Sequence, residues 1–343
     1  MGVRERLLTD TGGSRASPNA FLQTTAAAAA PVVRRRLQRS SERLGLCLVY
    51  HRIGDPQGDP ARELVPALGS ARFASQLAHL RRRYRVVAAS ELLTAIGARK
   101  PGEPFPVAVT FDDDLESHAQ VALPILQRSG VPATFFVCGA SLERPYSFWW
   151  ERLQRAVDRG TLEAGDLDDL GLPPATGSIH DLAAAIQALP PARRDEVSAR
   201  MAPAAGSDPT DSGLRAAPLR ALADAGCSIG FHTLRHYDLA RLDPETLAAA
   251  LREGRDGIER VIGRGLELIA YPHGSANAAV TEGAASAGYA AGFVVGEAAT
   301  AADTDPFSLP RIEPSYGTTA QFALKLVLRL RRAARAADAR GES

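Results

Sequence analysis

Short β-rich runs alternate with helix-length amphipathic segments through most of the 343 residues. That alternation predicts an α/β protein built from parallel β/α units, a distorted (β/α) barrel of about seven units with a helical insertion. The number of units, about seven in one chain, favours a barrel over an open sheet. Functional residues should then lie just after the apolar runs, where the βα loops begin. An apolar content of 45% is ample for a large core.

The first strand is expected in "LGLCLVYH", Leu44 to His51, ahead of a Gly/Pro-rich loop from Gly54 to Pro66. In "ARFASQLAHLRRRY" Phe73, Leu77 and Leu80 recur at helical spacing, with Ser70 as the expected N-cap. "PVAVTF", Pro106 to Phe111, reads as a strand, and "HAQVALPILQRSG" as a helix stopped at Gly130. "VPATFFVCG", Val131 to Gly139, is the next strand. From about residue 141 to 217 the rhythm is lost, and Ala, Asp, Pro and Arg predict short helices inserted between two strands. Order returns with helix "LRALADAG", strand "CSIGFH", one helix over "DPETLAAALREGRDGIERVIG" and strand "LELIAY". Helix "AAVTEGAASAG", strand "YAAGFVV", "FSLPRI" and a basic C-terminal helix complete the pattern. The expected division is an N-terminal arm over 1–40, a barrel over 41–316 that carries the insert, and a basic helix and tail over 317–343.

Lys and Arg number 40 against 39 Asp and Glu, a net charge of +1. No surplus of cations is available to displace phosphate counterions, which argues against a nucleic-acid partner. Cys47, Cys138 and Cys227 lie far apart without CxxC spacing, so they read as buried small side chains. No run approaches the roughly 18 apolar residues of a membrane span. The N-terminal alanine run, flanked by Arg34, Arg35 and Arg36, is a poor secretory signal, which predicts a cytoplasmic protein. The helix over "FALKLVLRLRRAARAADAR" is expected to close the barrel with its apolar face, with peripheral membrane contact as the alternative.

Chemistry gathers at the predicted strand ends. His51 ends the first strand; Asp112, Asp113 and Asp114 follow the strand run "VAVTF". His232 follows "SIGF" with His236 four residues on, and Tyr271, Pro272 and His273 follow "LELIA". Three adjacent carboxylates repel one another, and either a solvated turn or a bound cation would relieve them. One helical turn would put both imidazoles of the HxxxH pair on one face. With one Asp they would form the two-His, one-carboxylate set that zinc favours, leaving positions for water and substrate.

"TFDDD", "FHTLRH" and "AYPHG", supported in order by "LVYHRI", "LPILQRSGVPATFFV" and "LPRI", resemble the successive motifs of the polysaccharide deacetylases, carbohydrate esterase family 4. The resemblance runs from about Leu44 to Glu313. It implies that Asp113, His232 and His236 bind a divalent metal, Zn²⁺ first and Co²⁺, Ni²⁺ or Mn²⁺ otherwise. Asp112 would be the general base, and the substrate an acetylated glycan or sugar precursor, N-acetyl first. Asp114 stands where the family usually has Gly, so a turn role or a substrate-hydroxyl contact is expected for it.

Three departures matter. No Arg accompanies Glu267 and Leu268, where the family orients its base, and His273 replaces the usual Tyr. The family's late His has no counterpart, because "FSLPRIEP" contains none and Arg311 keeps its protons. His273, then His51, then a solvent-facing His118 are the candidate general acids. Substrate contacts are expected from Asp114, His51, Tyr271, Pro272, Trp149 and Arg311. Of the aromatics Tyr146, Phe148, Trp149 and Trp150, at least one should face a sugar and one Trp should enter the core. Two alternatives remain: a catalytically weak carbohydrate-binding protein on this fold, and an amidohydrolase of a non-sugar amide.

Overall fold

A computed structural model describes residues 30–55, 62–162, 167, 171–172 and 178–341. The N-terminal arm predicted over 1–40 therefore lies mostly outside the described residues, which begin with a helix over 30–38. Strands β1 (Leu44–Tyr50), β2 (Arg85–Val87), β3 (Pro106–Asp112), β4 (Thr134–Val137) and β5 (Ser228–Phe231) come first. They are followed by β6 (Leu268–Ala270), β7 (Ala291–Val295), β8 (Thr300–Ala301) and β9 (Leu309–Arg311).

The sheet order is β8-β1-β3-β4-β5-β6-β7-β9, with β2 beside β3. Every neighbour from β1 through β3, β4, β5, β6 and β7 to β9 is parallel. The sheet then nearly closes on itself. Ile312, just past β9, accepts from Val49 N (3.1 Å) and donates to Cys47 O (2.8 Å), joining the last parallel strand to the first. Seven parallel strands thus form the barrel that the β/α rhythm predicts. The two-residue β8, antiparallel on Leu44 and Gly45, and the three-residue β2 are additions too short to read from periodicity.

Both β1 and β3 are buried along their whole length, which is why they read as continuous apolar runs. Inside, Phe111 stacks on Phe135 at 4.5 Å between centroids, Phe73 packs edge-on to Phe111, and Tyr50 lies tilted beside it. This rigid aromatic layer carries the ends of β1 and β3. Cys47, Cys138 and Cys227 are free and buried.

Several local expectations need correction. The helix Ser70–Arg83 takes Gly69, not Ser70, as its N-cap, and Ser70 lies in the first turn. The single helix expected over residues 243–263 is two, Pro244–Ala250 and Arg255–Ile262. Gly254, at φ 83°, takes the left-handed conformation that breaks them apart. The helix ending at Gly130 opens as a π-turn over His118–Ala122 before Leu123–Ser129.

The segment between β4 and β5 holds helices Trp149–Asp158, Ile179–Gln187 and Pro191–Ala205. They bury Trp149, Trp150, Leu153, Ile186, Val197 and Met201 in a cluster of their own, onto which Leu64 and Val65 pack from the loop after β1. The final helix, Thr319–Gly341, lays Phe322, Leu326, Leu330 and Ala334 into the main core. Among the described residues no helix is long and apolar enough to cross a membrane.

Candidate metal centre and active site

Strand β3 delivers three aspartates to the C-terminal end of the barrel, and each has a different environment. All are buried, at 2%, 5% and 3% exposure for Asp112, Asp113 and Asp114. A solvated turn is therefore not what makes the run tolerable.

Asp112 is gripped by Arg311. Nη1 donates to Oδ1 at 2.5 Å and Nη2 to Oδ2 at 2.7 Å, a two-point fork between fully buried groups. Arg311 also donates to Thr110 Oγ1 (3.3 Å) and lies 5.2 Å over the Phe136 ring. Burial pushes the Asp112 carboxyl up, but the Arg311 charge outweighs it and holds the group ionised below the usual range. Arg311 thus orients the base candidate from β9, the opposite edge of the opened sheet. It does the job for which the sequence offered no Arg beside Glu267. The substrate-contact role expected of Arg311 is corrected accordingly, because a wholly buried guanidinium committed to Asp112 cannot meet a ligand.

Asp113 faces the two histidines. Its Oδ1 lies 3.3 Å from His236 Nε2 and 3.6 Å from His232 Nε2. Burial raises its pKa, yet the His236 hydrogen bond, with the imidazoles of His236 and His51 nearby, lowers it more, so the carboxylate form prevails. His232 presents Nδ1 to the Ala270 carbonyl at 2.8 Å, which makes Nδ1 the donor and turns the Nε2 lone pair toward Asp113. Burial, ahead of the opposing Asp112 charge, pushes the His232 imidazole down to about 4, so it is neutral and able to ligate.

The ligand atoms of Asp113, His232 and His236 lie within 4.8 Å of one another. Atoms about 2.1 Å from a tetrahedral centre sit roughly 3.4 Å apart, so the 3.3 and 3.6 Å spacings match two edges of such a shell. The residues fit a divalent cation. The HxxxH pair does not achieve this as one helical turn. His232 leaves β5 into a turn where Thr233 (φ 59°) and His236 (φ 49°) are left-handed. Asp113 (φ 76°) and His273 (φ 60°) complete the set of positive-φ non-glycine residues among those described. Backbone strain in this structure is collected at the site.

Asp114 turns away. Its oxygens accept from the N–H groups of Cys138 (2.7 Å), Gly139 (3.1 Å), Ala140 (2.9 Å) and Ser141 (3.4 Å), and from Ser141 Oγ (3.1 Å). Five donors fill the roughly four lone-pair sites of a carboxylate. The alternative of a substrate-hydroxyl contact is corrected: Asp114 pins the loop after β4.

The other expected residues divide in the same way. Tyr271 is wholly buried and donates to Phe307 O at 3.1 Å, and Pro272 is buried in the turn Pro272–Gly274, so neither lines an open groove. His273 comes in, with its ring 4.7 Å from that of His236; burial, then the His236 charge, lowers its pKa well below the ordinary value. His51, half-buried at the end of β1, is among the charges that lower both Asp112 and Asp113. His118, expected in solvent, is fully buried against Phe111 and Phe135, with its pKa pushed down to about 4 mainly by burial.

Among the insert aromatics it is Trp150, not Trp149, that reaches the centre. Its ring lies 4.7 Å from His236 and stacks on Phe148 at 4.5 Å, whereas Trp149 packs edge-on behind it. Glu151, next in the helix, was missed in the sequence. Burial lifts its pKa to about 7, and the Asp113 charge adds to that.

The polysaccharide deacetylase family profile matches residues 99–166 and 204–292, skipping part of the insert and spanning all three metal-ligand candidates. No curated protein sequence matches closely. Solved structures share the fold. The Streptococcus pyogenes deacetylase PplD, determined with acetate, superposes with a TM-score of 0.57 at 18% identity, covering 84% of this chain and 99% of that one. IcaB from Ammonifex degensii gives 0.53 at 18% identity, over 83% and 98%. A de-N-acetylase from Aggregatibacter actinomycetemcomitans gives 0.53 at 16% identity, over 80% and 95%. At such identities these likenesses speak for the barrel alone, and it is the profile match across the aspartate and histidine motifs that carries the assignment: residues 99–166 and 204–292 match the polysaccharide deacetylase family.

Proposed function

We propose that the protein is a metal-dependent hydrolase that removes acetyl groups, N-acetyl first, from a glycan or glycan precursor. The observation that carries this reading is the division of labour between Asp112 and Asp113. One carboxylate is presented to two imidazoles with the spacing of a ligand shell, while its neighbour is held ionised beside them by Arg311.

Asp113, His232 and His236 would hold the ion, Zn²⁺ by the chemistry of the donor set. When bound, it would lower the pKa of a water and polarise an amide carbonyl. Asp112 takes the proton from the attacking water, and the Arg311 fork keeps its oxygens aimed and unprotonated for that step. The same fork would keep Asp112 out of the ligand set. Phe148 and Trp150 present an aromatic wall beside His236, the kind of face on which a sugar ring packs. The leaving amine needs a proton. His51, beside the aspartates, is the first donor, and His273, beside His236, is the second, because burial disfavours its protonated form.

Acetate release from N-acetylated oligosaccharides, with and without chelator, tests the reading. Asp113→Ala should abolish both bound metal and release, whereas Asp112→Asn should keep the metal and lose release. Sugar binding without release would favour a carbohydrate-binding protein, and release only from non-sugar amides would favour an amidohydrolase. Of His273→Ala and His51→Ala, the variant that loses turnover with its metal retained identifies the proton donor. If neither does, both assignments fail.

A further inference from the structure

The charge of the chain is balanced overall but not in space. Thirteen of its 40 basic residues, and one of its 39 acidic ones, fall in three helices, 30–38, Ser70–Arg83 and Thr319–Gly341. The rest of the molecule is correspondingly net acidic.

The three helices converge on one end of the barrel. Arg34 Nη1 donates to the carbonyl of Arg83 at 3.4 Å, joining the first helix to the C-terminus of the second. The second and third run side by side in the same direction. Arg72 and Gln76 bond the backbone of Tyr316 and Ser315 just ahead of the long helix, and His79 lies edge-on to Phe322. At 1.5 Å per residue the long helix carries Arg331 and Arg332 past the level of Arg83.

That end is opposite the metal centre. Arg85, two residues beyond the second helix, pairs with Pro106 at the start of β3, and Asp112 closes the same strand. Seven strand residues, roughly 20 Å, separate the two ends.

Arg35, Arg36, Arg81, Arg83, Arg331 and Arg332 are exposed, and none has an ion pair among the described residues. Their neighbour His79 is pushed down to about 4 by burial and then by Arg83, Arg34 and Arg82. Two apolar side chains stand out among these arginines, Val32 at 70% exposure and Leu328 at 39%. A polynucleotide backbone would gain nothing from them, whereas a bilayer surface takes up both the charge and the apolar tips.

We propose that this basic end docks on a membrane surface rich in anionic phospholipid, with the metal centre facing away from it. On the deacetylase reading, on which this consequence alone rests, the substrate is a glycan strand standing off the membrane and not a sugar at the lipid headgroup.

Co-sedimentation of the full chain with phospholipid vesicles tests the docking without any substrate. Binding is expected to vesicles containing phosphatidylglycerol and not to pure phosphatidylcholine, and to fade near 1 M salt, where the Debye length is about 3 Å. The double variant Arg331→Glu with Arg332→Glu should bind at least tenfold more weakly at an unchanged melting temperature. Arg220→Glu, on the helix Ala216–Asp224, should bind as wild type.

Orientation is read separately. The native cysteines are buried, so a fluorophore can be placed selectively at Val32→Cys or at Ala278→Cys, in the first turn after β6. Spin-labelled lipid should quench the first and spare the second. Equal binding to neutral vesicles, binding to duplex RNA with none to vesicles, or stronger quenching at position 278 would overturn the proposal.

Discussion

Arg311 and Asp112 exchange two hydrogen bonds at full burial, so removing either partner strands a charge. Arg311→Ala should destabilise the fold by about 3–5 kcal/mol, read as a fall in melting temperature. Arg311→Lys keeps the charge but loses the fork, and should lower turnover by roughly 10²-fold through misplacement of Asp112 while leaving metal content intact. Glu151 supplies a pH signature. Its carboxyl is raised from 4.5 to about 7 by burial, so the native state holds a proton that the unfolded chain releases. The group therefore opposes folding increasingly as pH climbs from about 4.5 to 7, and fully above that. Glu151→Gln should melt higher than wild type at pH 8, by on the order of 1–3 kcal/mol, with the gain gone near pH 4.5. An equal gain at both pH values would show that the buried charge is not the cause. At this scale the sequence named Asp112, Asp113, His232 and His236 correctly as neighbours. It misjudged Asp114 and Arg311, because an inventory of side chains does not say which of two polar groups has already found its partner.

Elements position these residues by how they end. Strand β3 stops where Asp113 adopts φ 76°, and the turn after β5 folds back through Thr233 and His236, also left-handed. Each such residue costs of order 1–3 kcal/mol, and a bound cation is the natural compensation. The loop after β4 is held differently, by four N–H groups that donate to Asp114. Asp114→Ala would leave several buried N–H groups unpaired, at about 1–3 kcal/mol each. Hydrogen exchange at residues 138–141 should accelerate strongly, while exchange in β1 should change only as far as global stability falls. Phe322 anchors the last helix at full burial. Phe322→Ala should cost about 3–5 kcal/mol, measurable by denaturant titration.

At the scale of the whole molecule, the barrel is closed by Ile312 on β1, and that closure carries Arg311 across to Asp112. Fold and site are therefore coupled. Saturating Zn²⁺ should raise stability by about 2.7 kcal/mol at a hundredfold excess over its Kd, and chelator or Asp113→Ala should erase the gain in calorimetry. The parallel β/α order, the buried strands and the candidate ligands Asp113, His232 and His236 were legible in the chain, because hydrophobic period and strand-end polarity are local properties of sequence. The turn at Gly254 was also within reach of local reading, though it was passed over for an unbroken helical period. The rest depended on contacts between distant segments: Arg311 from β9 gripping Asp112 on β3, Trp150 rather than Trp149 turned to His236, and three basic helices gathered at one end. Those pairings arise only when the sheet curls far enough for its first and last parallel strands to meet, since no local propensity encodes which residues will then face one another.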